Sequence, residues 1–441
     1  MRTIEADGIW TPSGWLTGHS LQIADGQIID MPTAGRQHAD VALPGRVLVP
    51  GFVNAHSHAF QRAFRGHVQW RASEVDDFWS WRDRMYATAN ALDPAGVEAV
   101  SALAFLEMAQ AGVTTVGEFH YLHHQPDGSP YPDPDELAHR VISAARSVGV
   151  RIVLLRVAYA RDRPGQPLRA DQARFGDPTP GAVLDAIERL AGRAGPGARV
   201  GLAAHSVRAL DAQWLGALSA WDGVVHAHVS EQPAENESCS AEHGVSPLRV
   251  LSDSGLVSER FTAIHLTWPL PGDIGLLEDA GGTVCVCPST ELDLGDGLLP
   301  VEARTRLRMC VGSDSHARID PLHEARALEL HGRALAGRRA VLGPTGDFDG
   351  PARAILDAAT IAGERALGGT APGLTAGAPA DFVAIDLRGT AAVGVPPLQA
   401  VAFTADPAWV DAVWVGGTQI VRDGRHAHAA EIAERAAPYL P

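Results

Sequence analysis

The sequence predicts a (β/α)8 barrel that carries a small β-sandwich built from both chain ends. Three observations point there. Eight strand-like runs alternate with helix-like segments through the middle of the 441 residues. Many of those runs are near-continuously apolar, as strands covered on both faces must be. Both ends of the chain are instead short alternating strands broken by tight turns.

The ends come first. Residues 1–48 contain stretches such as "SLQIADGQIIDM", in which apolar and polar residues alternate between Gly, Asp and Pro breaks. Residues 370–441 read alike, with "PADFVAIDL" and "DAVWVGGTQIVRDGRHA". These two pieces are expected to form one composite sandwich, leaving 49–369 as the barrel. Its eight runs are "VLVPGFVNAHSH", "TTVGEFHY", "RIVLLRVAY", "RVGLAAHSVR", "GVVHAHVSE", "RFTAIHLTW", "GGTVCVCPST" and "RLRMCVGSDS". Helix-period segments separate several of them, among them "DPAGVEAVSALAFLEMAQAG" and "PLHEARALELHGRALAG". The connection after the first run, about residues 59–92, is long and carries "DDFWSWRDRMY", unusual chemistry for a plain loop.

Composition narrows the chemistry. The net charge is −16, which makes nucleic acid and anionic membrane poor partners. All 36 cationic residues are arginine. That removes Schiff bases, a P-loop lysine and a carbamylated lysine bridging two metals. Four cysteines (Cys239, Cys285, Cys287, Cys310) are too few and too clustered for a disulfide framework. With no apolar leader at the N-terminus and no long apolar run, a cytoplasmic protein is expected.

Barrel chemistry collects at the C-terminal ends of the strands. There the sequence places His56 and His58, then Glu118, His120 and Tyr121, then His205 and Arg208, His228 and Glu231, His265, and finally Asp314 and His316. His56 and His58 are two apart on a strand, so both face one spot. With His228 and Asp314 they offer three nitrogens and one oxygen, a set suited to Zn²⁺ and also to Fe²⁺ or Mn²⁺. A catalytic ion needs an open position for water.

These motifs in this order, "PGFVNAHSH", "HVSE", "AIHLTW" and "GSDSH", resemble the amidohydrolase superfamily in its mononuclear, deaminase-like branch, over nearly the whole chain. A narrower similarity is to the formimidoylglutamate deiminase family of histidine breakdown. It rests on "HSHAFQR", "FWSWRDRMY", "GEFHYLHH", "HSVR", "HVSEQ", "CPSTELDLGDG" and "GSDSH". The resemblance implies hydrolysis of N-formimino-L-glutamate to N-formyl-L-glutamate and ammonia, with one divalent metal. It maps the metal ligands onto His56, His58, His228 and Asp314, and the catalytic pair onto Glu231 and His265. It maps substrate contacts onto Gln61, Arg82, Tyr121, His205 and Arg208. Asp314 and His265 both remain open as the base that activates water. Relatives of this kind are homodimers. One departure is visible: Leu292 and Asp293 stand where an Ala-Asn pair is more usual.

Two competing functions use the same residues. A deaminase of purine, pyrimidine or triazine rings would share the metal set and Glu231, but would stack its substrate on aromatic groups such as Trp79 and Trp81. Paired arginines favour a dicarboxylate instead. An inactive metal-binding scaffold would be expected to lack a ligand or the shuttle, and here neither is missing.

Overall fold

A computed structural model describes residues 1–33, 38–70 and 78–441. Among the described residues, eight parallel strands form a barrel and nine others form a separate mixed sheet. The barrel strands are β1 (Phe52–Ser57), β2 (Val113–His120), β3 (Arg151–Ala158), β4 (Ala198–Ala204), β5 (Val225–Val229), β6 (Phe261–His265), β7 (Thr283–Val286) and β8 (Arg308–Val311). Each lies beside its successor in order. Six fall inside the runs read from the sequence, and β2 and β4 start one residue before theirs. Helices Pro94–Gln110, Glu136–Val148 and Pro321–Ala336 occupy the predicted helix-period segments. Asp93 caps the first by accepting from the Gly96 N–H at 2.7 Å, and Pro94 starts it without wasting a donor.

Closure joins β8 back to β1. Asp314 N–H donates to the His56 carbonyl at 3.0 Å, and His58 N–H donates to the Asp314 carbonyl at 3.1 Å. One step below, Asn54 accepts from the Ser313 N–H at 2.9 Å and donates to the Ser313 hydroxyl at 2.7 Å. Gly312 lets the two backbones approach this closely. A Cβ there would sit 2.7 Å from the His56 carbonyl oxygen and 2.9 Å from its nitrogen.

The apolar run at 47–58, continuous in sequence, is divided in space. Val41–Pro50 belongs to the terminal sheet, pairing antiparallel with Phe382–Asp386 and parallel with Arg2–Thr11. The chain crosses to the barrel at Gly51, where any Cβ would collide with Thr114. Both halves are buried, so hydropathy alone gives no sign of the crossing. The predicted sandwich is realised as one continuous sheet. Its two wings close over a shared core that includes Ile4, Leu21, Ile28, Phe382 and Trp414. Phe382 and Trp414 stack with centroids 4.7 Å apart. No described helix is long and apolar enough to cross a membrane.

The closure makes a stability prediction. Gly312→Ala forces β8 away from the β1 backbone, and overpacking of this kind costs about 1–3 kcal/mol. Urea unfolding should show a lower midpoint, and an unchanged midpoint would contradict the closure geometry.

Candidate active site

The site lies at the C-terminal rim of the barrel. Alternation along β1 turns His56 and His58 inward and Ser57 outward, where the Ser57 hydroxyl donates to Glu118 at 2.6 Å. The inward Phe119 ring packs 4.4 Å from that of His228 and 5.1 Å from that of His56, forming an apolar wall. Asp314 follows β8 and returns over the same opening. Backbone strain concentrates here. Among the described residues, five of the eight non-glycine residues with positive φ are Ser230, His265, Leu266, Asp314 and His316, all just past strand ends of this rim.

Four candidate ligand atoms gather around His56. Asp314 Oδ1 lies 3.3 Å from His56 Nε2 and 3.3 Å from His58 Nε2. His228 Nε2 lies 3.3 Å from His56 Nε2. Proton accounting shows what this cluster needs. His58 Nδ1 donates to the Phe119 carbonyl at 3.0 Å, and His228 Nδ1 donates to the His205 carbonyl at 3.0 Å. Carbonyls only accept, so both neutral rings present bare Nε2 lone pairs to the centre. The Asp314 carboxylate accepts as well, and it is held below the usual carboxylate range: burial alone would raise it, but the His56 hydrogen bond and the surrounding imidazoles outweigh that. Burial pushes His56 down to about 3, so it carries at most one proton for three acceptors. A divalent cation satisfies all four at once.

Beside this cluster stand two more titratable groups. His265 Nε2 lies 3.6 Å from Glu231 Oε1 and 3.9 Å from Asp314 Oδ2. Burial raises Glu231 to about 7 against the pull of His265 and Arg208. Burial would lower His265, but Glu231, the hydrogen bond to Glu291 and Asp314 carry it up to about 10.

One cavity opens beside the cluster. It is lined by His58, His228, Asp314 and Glu231 together with Gln61, Arg82, Tyr121, His205 and Arg208, all of which the sequence pointed to. Gln61 donates to the Tyr121 hydroxyl at 2.9 Å. Burial drives Tyr121 well above and His205 well below their ordinary values, so both face the cavity uncharged. The two arginines are held by carboxylates just beyond hydrogen-bond range. Arg82 is 3.7 Å from Asp162. Arg208 is 3.8 Å from Glu231 and 3.7 Å from Glu235.

Some rim residues turn away. Ser57 bonds to both Glu118 and His316 outside the barrel wall. His123 and His124 donate to the carbonyls of Val157 and Gly176, each at 3.0 Å. His120 packs against the His123 ring. Trp81 lines the cavity, whereas residues 71–77 and the side chain of Trp79 lie outside the described residues. Sequence reasoning missed Tyr86, Asp162, Gln172 and Glu235. Gln172 ties the group together, donating to Asp162 at 2.8 Å and to the Tyr86 hydroxyl at 3.0 Å. Of these only Glu235 had a signal, four residues past Glu231 where a helix begins.

The amidohydrolase family pattern matches residues 47–420. The chain belongs to the amidohydrolase family. It is therefore a hydrolase, and the family together with the histidine and aspartate groups at the rim supports a divalent metal. A formimidoylglutamate deiminase of Pseudomonas aeruginosa is 36% identical over 439 residues, 97% of this chain and 96% of that protein. A 5-methylthioadenosine/S-adenosylhomocysteine deaminase of Teredinibacter turnerae is 28% identical over 428 residues, 90% of this chain and 86% of that protein. The crystal structure of an amidohydrolase from Brucella melitensis superposes with a TM-score of 0.91 at 34% identity, covering 100% of this chain and 99% of that one.

The unsatisfied lone pairs give a direct prediction for this amidohydrolase. Adding a fitting divalent ion to metal-stripped protein at about 100 times its Kd should stabilise the fold by about 2.7 kcal/mol. A thermal midpoint unmoved by Zn²⁺, Fe²⁺ and Mn²⁺ alike would contradict the site.

Proposed function

We propose that this chain hydrolyses the terminal C–N bond of N-formimino-L-glutamate, releasing ammonia and N-formyl-L-glutamate. The observation that carries this reading is a cavity lined by groups of both charges. Two arginines, Arg82 and Arg208, and two buried carboxylates, Glu231 and Asp314, share its lining. The substrate is its electrostatic complement, with two carboxylates on one end and a cationic amidine on the other. Arg82 and Arg208 take the carboxylates in bidentate geometry. Gln61, Tyr121 and His205 add neutral hydrogen bonds, and Glu231 meets the amidinium N–H groups. The similarity to a formimidoylglutamate deiminase at 36% identity supports the same substrate.

His56, His58, His228 and Asp314 hold the ion, and three nitrogens with one oxygen favour Zn²⁺. When bound, the ion supplies the Lewis acidity that makes water nucleophilic near neutral pH. Asp314 or His265 takes the proton as water adds to the formimino carbon. Glu231 passes that proton on to the terminal nitrogen; ammonia leaves, and the C=O bond re-forms as the added hydroxyl gives up its own proton. In its charged form, His265 beside Glu231 steadies the negative oxygen that the addition leaves. The enzyme works in the cytoplasm as a homodimer, in keeping with the family it resembles.

Ammonia release from N-formimino-L-glutamate by metal-replete protein tests the proposal, with adenosine and S-adenosylhomocysteine as competing substrates. Turnover of a nucleoside and none of the amidine would replace this reading with a ring deaminase. Glu231→Gln should keep its metal and lose roughly 10²–10⁴-fold in kcat. Normal turnover in that variant rejects the shuttle. Arg208→Lys keeps the charge but loses the fork, and should raise KM roughly tenfold or more. An unchanged KM would show that no carboxylate docks there.

A further inference from the structure

The motif "CPSTELDLGDG" follows β7 and folds into the short helix Pro288–Leu294, yet the reaction above uses none of its side chains. Its Glu291 is 1% exposed and sits behind His265 rather than in the cavity. A carboxylate buried this deeply needs partners. One oxygen finds two: Glu291 Oε1 accepts from the Cys287 backbone N–H at 2.8 Å and from His265 Nδ1 at 3.2 Å.

We infer that Glu291 is a positioning residue that fixes the aim of His265, an inference that rests on the reading of His265 as a participant in the reaction. A hydrogen bond at one ring nitrogen orients the imidazole and so decides where the other nitrogen points. An acceptor at Nδ1 places the proton there and directs Nε2 toward Glu231, 3.6 Å away, and Asp314, 3.9 Å away. The aim is set by two further constraints. His265 has φ 70°, a left-handed conformation that turns its side chain out of the β6 pleat. Its ring lies parallel to that of His228, tilted by only 9° at a centroid distance of 5.5 Å. Position of the acceptor matters as well as its charge. The Cys287 N–H pins that oxygen to the backbone of β7, so it does not depend on a free side-chain rotamer.

This predicts a graded response. In Glu291→Gln, the amide oxygen keeps both hydrogen bonds. In Glu291→Leu, the shape is kept and the acceptor is lost. With metal-replete proteins and N-formimino-L-glutamate, Glu291→Leu should lose roughly 10–100-fold in kcat, with KM and metal content near wild type. Glu291→Gln should recover most of that loss. A Glu291→Leu variant with wild-type kcat overturns the assignment, and so does a Glu291→Gln variant as slow as Glu291→Leu. If the leucine variant does not fold, spectra of ¹⁵N-histidine-labelled wild type decide. They should contain a slowly exchanging Nδ1–H signal that is absent in His265→Gln and shifted in Glu291→Gln. Its absence from the wild type overturns the proposal. Wild type that releases no ammonia defeats the substrate reading instead, and the spectra still judge Glu291.

Discussion

Barrel closure is the constraint on which the rest of this structure depends. The two hydrogen bonds that seal β8 against β1 use the backbones of His56, His58 and Asp314. The seam and the metal site are therefore one object. Three of the four proposed ligands cannot drift apart unless the barrel opens, and the fourth, His228, is tied through Nδ1 to the His205 carbonyl. Loops would hold such groups less accurately, because a strand ladder fixes both register and face. The left-handed backbone at Asp314, His265 and Ser230 is the cost of bending three chain segments over one opening.

Electrostatics organise the space around that seam. The chain is strongly acidic, yet its cavity holds two arginines whose guanidinium groups stand 3.7–3.8 Å from protein carboxylates. Buried carboxylates beside both guanidinium groups offset the cost of holding that charge away from water. Glu231 also pairs with the buried His265, and each stabilises the charged form of the other.

Much of this was legible in the sequence, for physical reasons that particular residues make plain. Period-two spacing showed that His56 and His58 share a face. Strand-end position showed that His228, Glu231, His265 and Asp314 share a rim. What stayed hidden depends on contacts between distant segments. Nothing in "VLVPGFVNAHSH" marks Gly51 as the crossing between two sheets, because both halves are equally apolar. Alternation sends Glu118 and His316 outside the wall although they stand beside rim residues in sequence. Gln172 and Asp162 come from a loop with no periodic signal, and only the fold brings them under Tyr86 and Arg82. Glu291 lay inside a quoted motif, but its role needs the direction of the His265 ring, which spacing does not encode.

The central claim is that three imidazoles and one carboxylate grip a single divalent ion. X-ray absorption at the metal edge of zinc-loaded protein tests it most directly. The account predicts only nitrogen and oxygen neighbours at about 2.0–2.2 Å, with multiple scattering from three histidines. Cys287 lies with His265 and Glu291 in a neighbouring cluster that could also bind a metal. A sulfur neighbour at about 2.3 Å would put the ion there and contradict the account.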